Sequence, residues 1–135
     1  MFKAHADKQL IITVNNKIGT LAEITKVIAS SGINLIAVNA YAVDNKGFIV
    51  FVSEDNKEAK KLLQEKGHDI REEDVILLSL DNKPGTLQSV TEKISEVGID
   101  VTLLYGSVDK KAKTTRLVLI SEDNAAVLMA LQMKS

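Results

Sequence analysis

A chain of 135 residues, 45% apolar and 26% charged, has the balance of a soluble globular protein. Its 17 Lys and Arg against 18 Asp and Glu leave a net charge of −1, which gives no electrostatic reason to expect nucleic acid or an anionic membrane as a partner. The lack of cysteine excludes disulfides, thiolate metal sites and a thiol nucleophile. The start, Met1-Phe2-Lys3-Ala4-His5, has no apolar signal core and no run approaches membrane-spanning length, so a cytoplasmic protein is expected.

Gln9–Val14 is an apolar, β-branched run and reads as a strand ending in the turn Asn16-Lys17-Ile18-Gly19-Thr20-Leu21. Leu21, Ile24 and Ile28 then fall on one face of a helix. Thr20 and Glu23 have capping-box spacing, which places the helix start near Thr20, and Gly32 sits where a left-handed C-terminal cap is wanted. Strands follow at Leu35–Val43 and Phe48–Val52, joined by Asp44-Asn45-Lys46-Gly47. Asp55 or Asn56 would cap a second helix carrying Ala59, Leu62 and Leu63. A final strand fits around His68–Glu73, and Glu72-Glu73-Asp74 reads as a solvated charge run between two halves.

The series then repeats. Asn82-Lys83-Pro84-Gly85-Thr86-Leu87 restates the first turn 66 positions later, and Gly98-Ile99-Asp100 restates Gly32-Ile33-Asn34. Nine of the nineteen pairs between 16–34 and 82–100 are identical, which chance composition does not give. The repeat implies a strand at Val75–Leu80, a helix carrying Leu87, Val90 and Ile94, strands at Val101–Tyr105 and Arg116–Ile120, and a last helix with Val127, Leu128 and Leu131. Ser89 replaces the acid of the capping box, and the second hairpin, with Asp109 to Lys113 at its tip, is two residues longer.

Each half therefore reads strand–helix–strand–strand–helix, the split β-α-β arrangement. The expected fold is α+β: two ferredoxin-like βαββαβ sandwiches in tandem, residues 1–73 and 74–135, the second lacking its final strand because the chain stops where that strand would begin. The unpaired edge left on Val75–Leu80 is expected to be filled by the segment around Phe2–Ala6 or by a second chain. Strands apolar at consecutive positions need both sheet faces covered, so helices would cover one face and the other repeat or another chain the second, an argument for a homo-oligomer.

The residues offer little chemistry. His5 and His68 have no partners at triad spacing, no His pair or Asp-rich loop has metal-ligand spacing, and no phosphate loop is present, so no catalytic residue, metal or cofactor is expected. Lys46-Gly47-Phe48-Ile49-Val50-Phe51-Val52 begins like an RNA-recognition strand, but Phe48 and Phe51 are three apart and face opposite ways. The glycine turns remain. Gly19 and Gly85 allow close backbone approach, and the helix start behind each offers N–H groups suited to a carboxylate, with Asn34 and Asp100 as acceptors for an α-amino group. The same residues also make ordinary turns and caps, and a duplication preserves those equally well.

The pattern Asn-x-Pro-Gly-x-Leu, then an apolar helix, then Gly-Ile-Asn/Asp followed by an apolar residue, resembles the ACT domain family of small amino-acid-sensing modules. Asn82, Pro84, Gly85, Leu87, Gly98 and Asp100 carry it in the second copy, and Asn16, Gly19, Leu21, Gly32 and Asn34 in the first, where Ile18 replaces the proline. The resemblance spans nearly the whole chain. It implies an amino acid bound where ACT units meet, contacted by Asn16, Ile18, Gly19, Thr20, Leu21 and Asn34 in one copy and by Asn82, Pro84, Gly85, Thr86, Leu87 and Asp100 in the other. A histidine that contacts ligand in serine-sensing members is replaced here by Val14 and Leu80. With no catalytic domain in the sequence, the resemblance implies a non-enzymatic regulatory protein, dimeric, acting on an amino-acid-metabolism enzyme. Acetolactate synthase small subunits carry a similar domain, which keeps a branched-chain ligand open. The alternative is an assembly module or regulatory subunit with no ligand response of its own.

Overall fold

A computed structural model of the chain describes residues 2–15, 17–107 and 110–132. Its elements run β1 (Phe2–Asn15), α1 (Thr20–Ser30), β2 (Leu35–Val43), β3 (Lys46–Ser53), α2 (Asn56–Glu65), β4 (Asp69–Asp81), α3 (Thr86–Glu96), β5 (Val101–Ser107), β6 (Thr114–Ser121) and α4 (Asn124–Gln132). This is the expected order, with one difference at each long strand. The run around His68–Glu73 and Val75–Leu80 form a single strand, β4. Glu72-Glu73-Asp74 is thus not a linker but the middle of β4, where Glu73 accepts a 2.8 Å hydrogen bond from the buried Gln9 side chain and Glu72 pairs with Lys60 at 3.1 Å.

Two compact units emerge: Lys8–Glu73, and Met1–Asp7 with Asp74–Ser135. The expected first domain, residues 1–73, is corrected at its start, because residues 1–7 belong with the second half. Within the first unit the strand order is β2-β3-β1-β4, with β1 pairing β3 antiparallel from Leu10↔Phe51 to Asn15↔Lys46. Within the second it is β1-β4-β6-β5, with β4 pairing β6 antiparallel from Ile76↔Leu119 to Asp81↔Thr114. The place of the strand missing from the second half is taken by the first stretch of β1, whose Phe2 and Ala4 pack against Ile76, Leu78, Leu80 and their neighbours.

Each unit packs two helices on one sheet face. Leu10, Ile12, Ile49, Phe51 and Ile70 meet Ile24, Ile28, Ala59 and Leu63 in the first; Ile76, Leu78, Leu80, Leu117 and Leu119 meet Val90, Ile94, Val127 and Leu131 in the second. Period-2 alternation along the strands puts Ile11, Val50 and Val52, and in the second unit Val75, Leu77 and Val118, on the other face. They are buried in the single chain, so they do not carry the argument for a second copy. Leu21 and Leu87, which share by spacing the helix face of Ile24 and Val90, are 46% and 41% exposed at the first turns of α1 and α3.

Candidate functional site

The capping box expected at Thr20 and Glu23 does not form. Gly19 is itself the N-cap, at φ +90°, with no side-chain cap, and Thr20 is the first helical residue. Gly85 opens α3 in the same way at φ +91°. A side chain at this φ is strained, so glycine lets the chain double back and present the helix start directly. The fourth N–H is the first to find a helical carbonyl: Glu23 N–H donates to Gly19 O and Ser89 N–H to Gly85 O, both at 3.0 Å, while Thr20 N–H and Thr86 N–H reach back weakly to Lys17 O and Lys83 O at 3.3 and 3.4 Å. Gly32 and Gly98 close these helices at φ +75° and +71°, as their spacing predicts.

Around the first turn, Gly19, Thr20 and Leu21 line a cleft of about 660 Å³ together with Lys17, Tyr41 and Phe48. The rings of Tyr41 and Phe48 stack with centroids 5.1 Å apart, while Phe51 is in the core, so the two phenylalanines do part to opposite faces. Ile18 is fully exposed and stands outside this cleft. Asn34 also lies outside it, exposed, with its Nδ2 3.5 Å from Glu54 Oε2. Asn16 lies outside the described residues. Another side of the same turn borders a polar cleft of about 420 Å³ whose lining includes Lys17, Thr20, Glu23, Lys46, His68 and Asp69. His68 is 15% exposed there; its Nε2 is buried without a hydrogen-bond partner among the described residues, 3.8 Å from Glu23 Oε1.

The second turn is built differently. Asn82 ties the turn to the β5–β6 hairpin, its Nδ2 donating to Ala112 O and its N–H to Lys113 O, both at 2.9 Å. Pro84, Gly85 and Thr86 line a cleft of about 470 Å³ with Phe2, Lys83, Ser89 and Lys93. Leu87 and Asp100 are exposed and do not line it. The structure thus brings Gly19, Thr20 and Leu21 to one opening and Pro84, Gly85 and Thr86 to another, and leaves Asn34 and Asp100 apart from both. Sequence reasoning missed Tyr41 and Phe48 beside the first turn and Phe2 and Lys93 beside the second. Only Lys93 carried a signal, as the cation aligned with Val27.

Among the described residues no group of three or more His, Asp or Glu side chains is placed to hold a metal ion, and no helix is long and apolar enough to cross a membrane.

The architecture defines a tandem of ferredoxin-like units, each opening its first helix on a left-handed glycine. A family model described as an ACT domain pair matches residues 6–128, and the chain belongs to the ACT domain family as such a pair. A protein from Bacteroides thetaiotaomicron has a similar structure, with a TM-score of 0.88 at 27% identity over 96% of this chain and 88% of that one. The ligand-free regulatory subunit of aspartate kinase from Thermus thermophilus gives 0.67 at 14% identity over 94% and 90%, and the corresponding subunit from Thermus flavus 0.63 at 15% over 96% and 94%. These last two are likenesses of fold. No curated protein matches the chain.

Proposed function

We propose that this ACT domain pair is a non-enzymatic regulatory protein that binds an amino acid at its glycine turns. The observation that carries this reading is the pair of left-handed glycines, Gly19 and Gly85, each exposing a helix start beside an open cleft. Unbonded N–H groups and the partial positive charge of the helix end attract a carboxylate. An amino acid bound there acts by favouring one of two states of the chain or of its complex. The residues expected to contact it are those named above, Asn16, Asn34, Asn82 and Asp100 included. Asn34 and Asp100 reach it only where a unit meets a neighbour, so the proposed form is a dimer in the cytoplasm.

The partner class is an enzyme of amino-acid biosynthesis. The fold likeness to aspartate kinase regulatory subunits supports that class, whereas a branched-chain ligand rests on the acetolactate synthase resemblance alone. The second reading, an assembly module without a ligand response, is favoured by Val38, Tyr41 and Val43. These are apolar and exposed along β2, an outer strand of its unit's sheet.

A thermal-shift screen of the standard amino acids separates the two. A true ligand at 100 times its Kd adds about 2.7 kcal/mol of stability, and Gly85→Ala should diminish the response at that turn. If every amino acid leaves the transition unmoved while the chain co-purifies with an enzyme subunit, the assembly reading stands and direct sensing fails.

A further inference from the structure

The two halves share one pattern, so a place where they part in both length and charge stands out. The hairpins are such a place. The first turns through Asp44-Asn45-Lys46-Gly47, one acid against one cation. The second is two residues longer and carries Lys110, Lys111 and Lys113 around its tip, and Arg116 stands in β6 where β3 has Phe48. Those four cations against Asp109 leave 109–116 with a formal charge of +3, in a chain whose total is −1. A hairpin tip is also where an insertion least disturbs the fold and where binding residues tend to be carried.

We infer that the tip of the β5–β6 hairpin is a docking surface for an acidic segment of a partner protein. Lys110, Lys113 and Arg116 are exposed, and none of them has an ion-pair partner among the described residues. On the first unit, by contrast, Lys60 is matched by Glu72 at 3.1 Å. The acid that pairs in register with Thr114 is Asp81, which is half-buried and engaged within the chain. Like charges on one short turn repel one another, and carboxylates from another chain relieve that repulsion. The tip is also held in place. Asn82 Nδ2 donates to Ala112 O and Asn82 N–H to Lys113 O, both at 2.9 Å, so less ordering is left to be done when a partner arrives. Its position is accessible, since the hairpin continues β5, the outer strand of its unit's sheet, and strand alternation turns Arg116 away from the helix face that Leu117 and Leu119 join. At physiological salt a charge is felt over about 8 Å, so the tip steers and orients an acidic partner more than it holds one. Nucleic acid fits less well. The total charge is −1, and no aromatic ring lies between Lys110 and Arg116 on which a base could stack.

The test is an amide-resolved NMR titration of the full chain at constant ionic strength, with a peptide of alternating Glu and Ala in one arm and a short DNA duplex in the other. Saturable peptide shifts centred on residues 110–116 are expected, and the same peptide with Gln for Glu should give none. Lys110→Gln, Lys113→Gln and Arg116→Gln together should weaken peptide binding about fivefold or more, with the thermal transition unmoved. Lys110→Gln with Lys113→Gln, confined to the tip, repeats the measurement should the change in β6 disturb folding. Lys57→Gln, Lys61→Gln and Lys66→Gln remove the same charge from exposed positions on and beside α2 and should leave binding unchanged. The inference is overturned if the peptide gives no saturable shifts at the hairpin, if the α2 changes weaken binding as much as the hairpin changes, or if the duplex binds the tip more tightly than the peptide. None of these outcomes depends on amino-acid binding at the glycine turns, so the two readings fail separately.

Discussion

Asn56 Nδ2 donates to the Lys8 carbonyl at 2.7 Å, joining the first residue of α2 to β1. Its Oδ1 accepts from both the N–H and the hydroxyl of Ser53, at 2.9 and 2.7 Å. The second unit repeats the set, with Asn124 bonded to the Asp74 carbonyl and to Ser121. The neighbouring aspartates do the capping: Asp55 accepts from Glu58 N–H and Asp123 from Ala126 N–H, each at 3.1 Å. Where Asp and Asn stand together, the acid caps the helix and the amide ties it to the sheet.

Replacing Asn56 by Ala should therefore cost more than replacing Asp55. Asn56→Ala strips partners from partly buried groups and should lose about 1–3 kcal/mol, whereas Asp55→Ala removes one cap worth about 1 kcal/mol. Urea denaturation of both variants measures the order. Equal losses would mean that the tie to Lys8 contributes nothing.

Gly19→Ala and Gly85→Ala should each destabilise by about 1–2 kcal/mol, the cost of a left-handed backbone for an L-residue. A Cβ at either position meets no atom within 4 Å, so the loss is conformational and the two values should agree closely. A much larger loss at one position by thermal denaturation would point to a packing role that the geometry does not contain.

Gly106 behaves in the opposite way. Its φ is unexceptional, but a Cβ there would run into the Leu117 side chain and sit 2.7 Å from the Arg116 carbonyl oxygen. Gly106→Ala should overpack the β5–β6 pair and cost about 1–3 kcal/mol, with faster amide exchange along β5. The aligned residue in the first unit, Ala40, already carries that methyl on an exposed position. Unchanged stability in the Gly106→Ala variant would show that β5 shifts freely against β6.

Removing residues 2–6, or replacing Phe2 with Ala, should lower the stability of the second unit and speed exchange in its stretch of β4. Phe2 is partly buried, so the loss should be about 1–2 kcal/mol, below the ~3–5 kcal/mol of a fully enclosed aromatic. Exchange that is unchanged in 76–81 would mean that the stretch adds nothing to its unit.

The duplicated turn, the helix spacing and the short β-branched runs made the two-unit fold readable before any coordinates. Each is a local pattern with its own physical cause, and copying doubled every signal. What stayed hidden was non-local. The vacant edge on Val75–Leu80 followed from the repeat and named Phe2–Ala6 as one of two ways to fill it, but nothing in Phe2-Lys3-Ala4-His5-Ala6 itself decides between that segment and a second chain. The spacing of Thr20 and Glu23 suggested a side-chain cap, but the left-handed Gly19 already occupied the cap position. Leu21 and Leu87 kept the period of the core residues, yet they lie in the first helical turn, where Leu21 borders a cleft. The turns of the candidate site were legible; the walls facing them were not, since Tyr41, Phe48, Phe2 and His68 reach them through tertiary placement.

The division of β1 between the units also sets an order of events during synthesis. The first unit, Lys8–Glu73, is continuous and has all its strands once residue 73 has left the ribosome. The second needs residues 2–7, which emerge before anything they pack against exists. That stretch must stay available through the folding of the whole first unit, an exposed strand waiting more than sixty residues for its neighbour. Until then it can pair with the same segment of another nascent chain, so crowded polysomes are where exchange of this strand between copies should be sought.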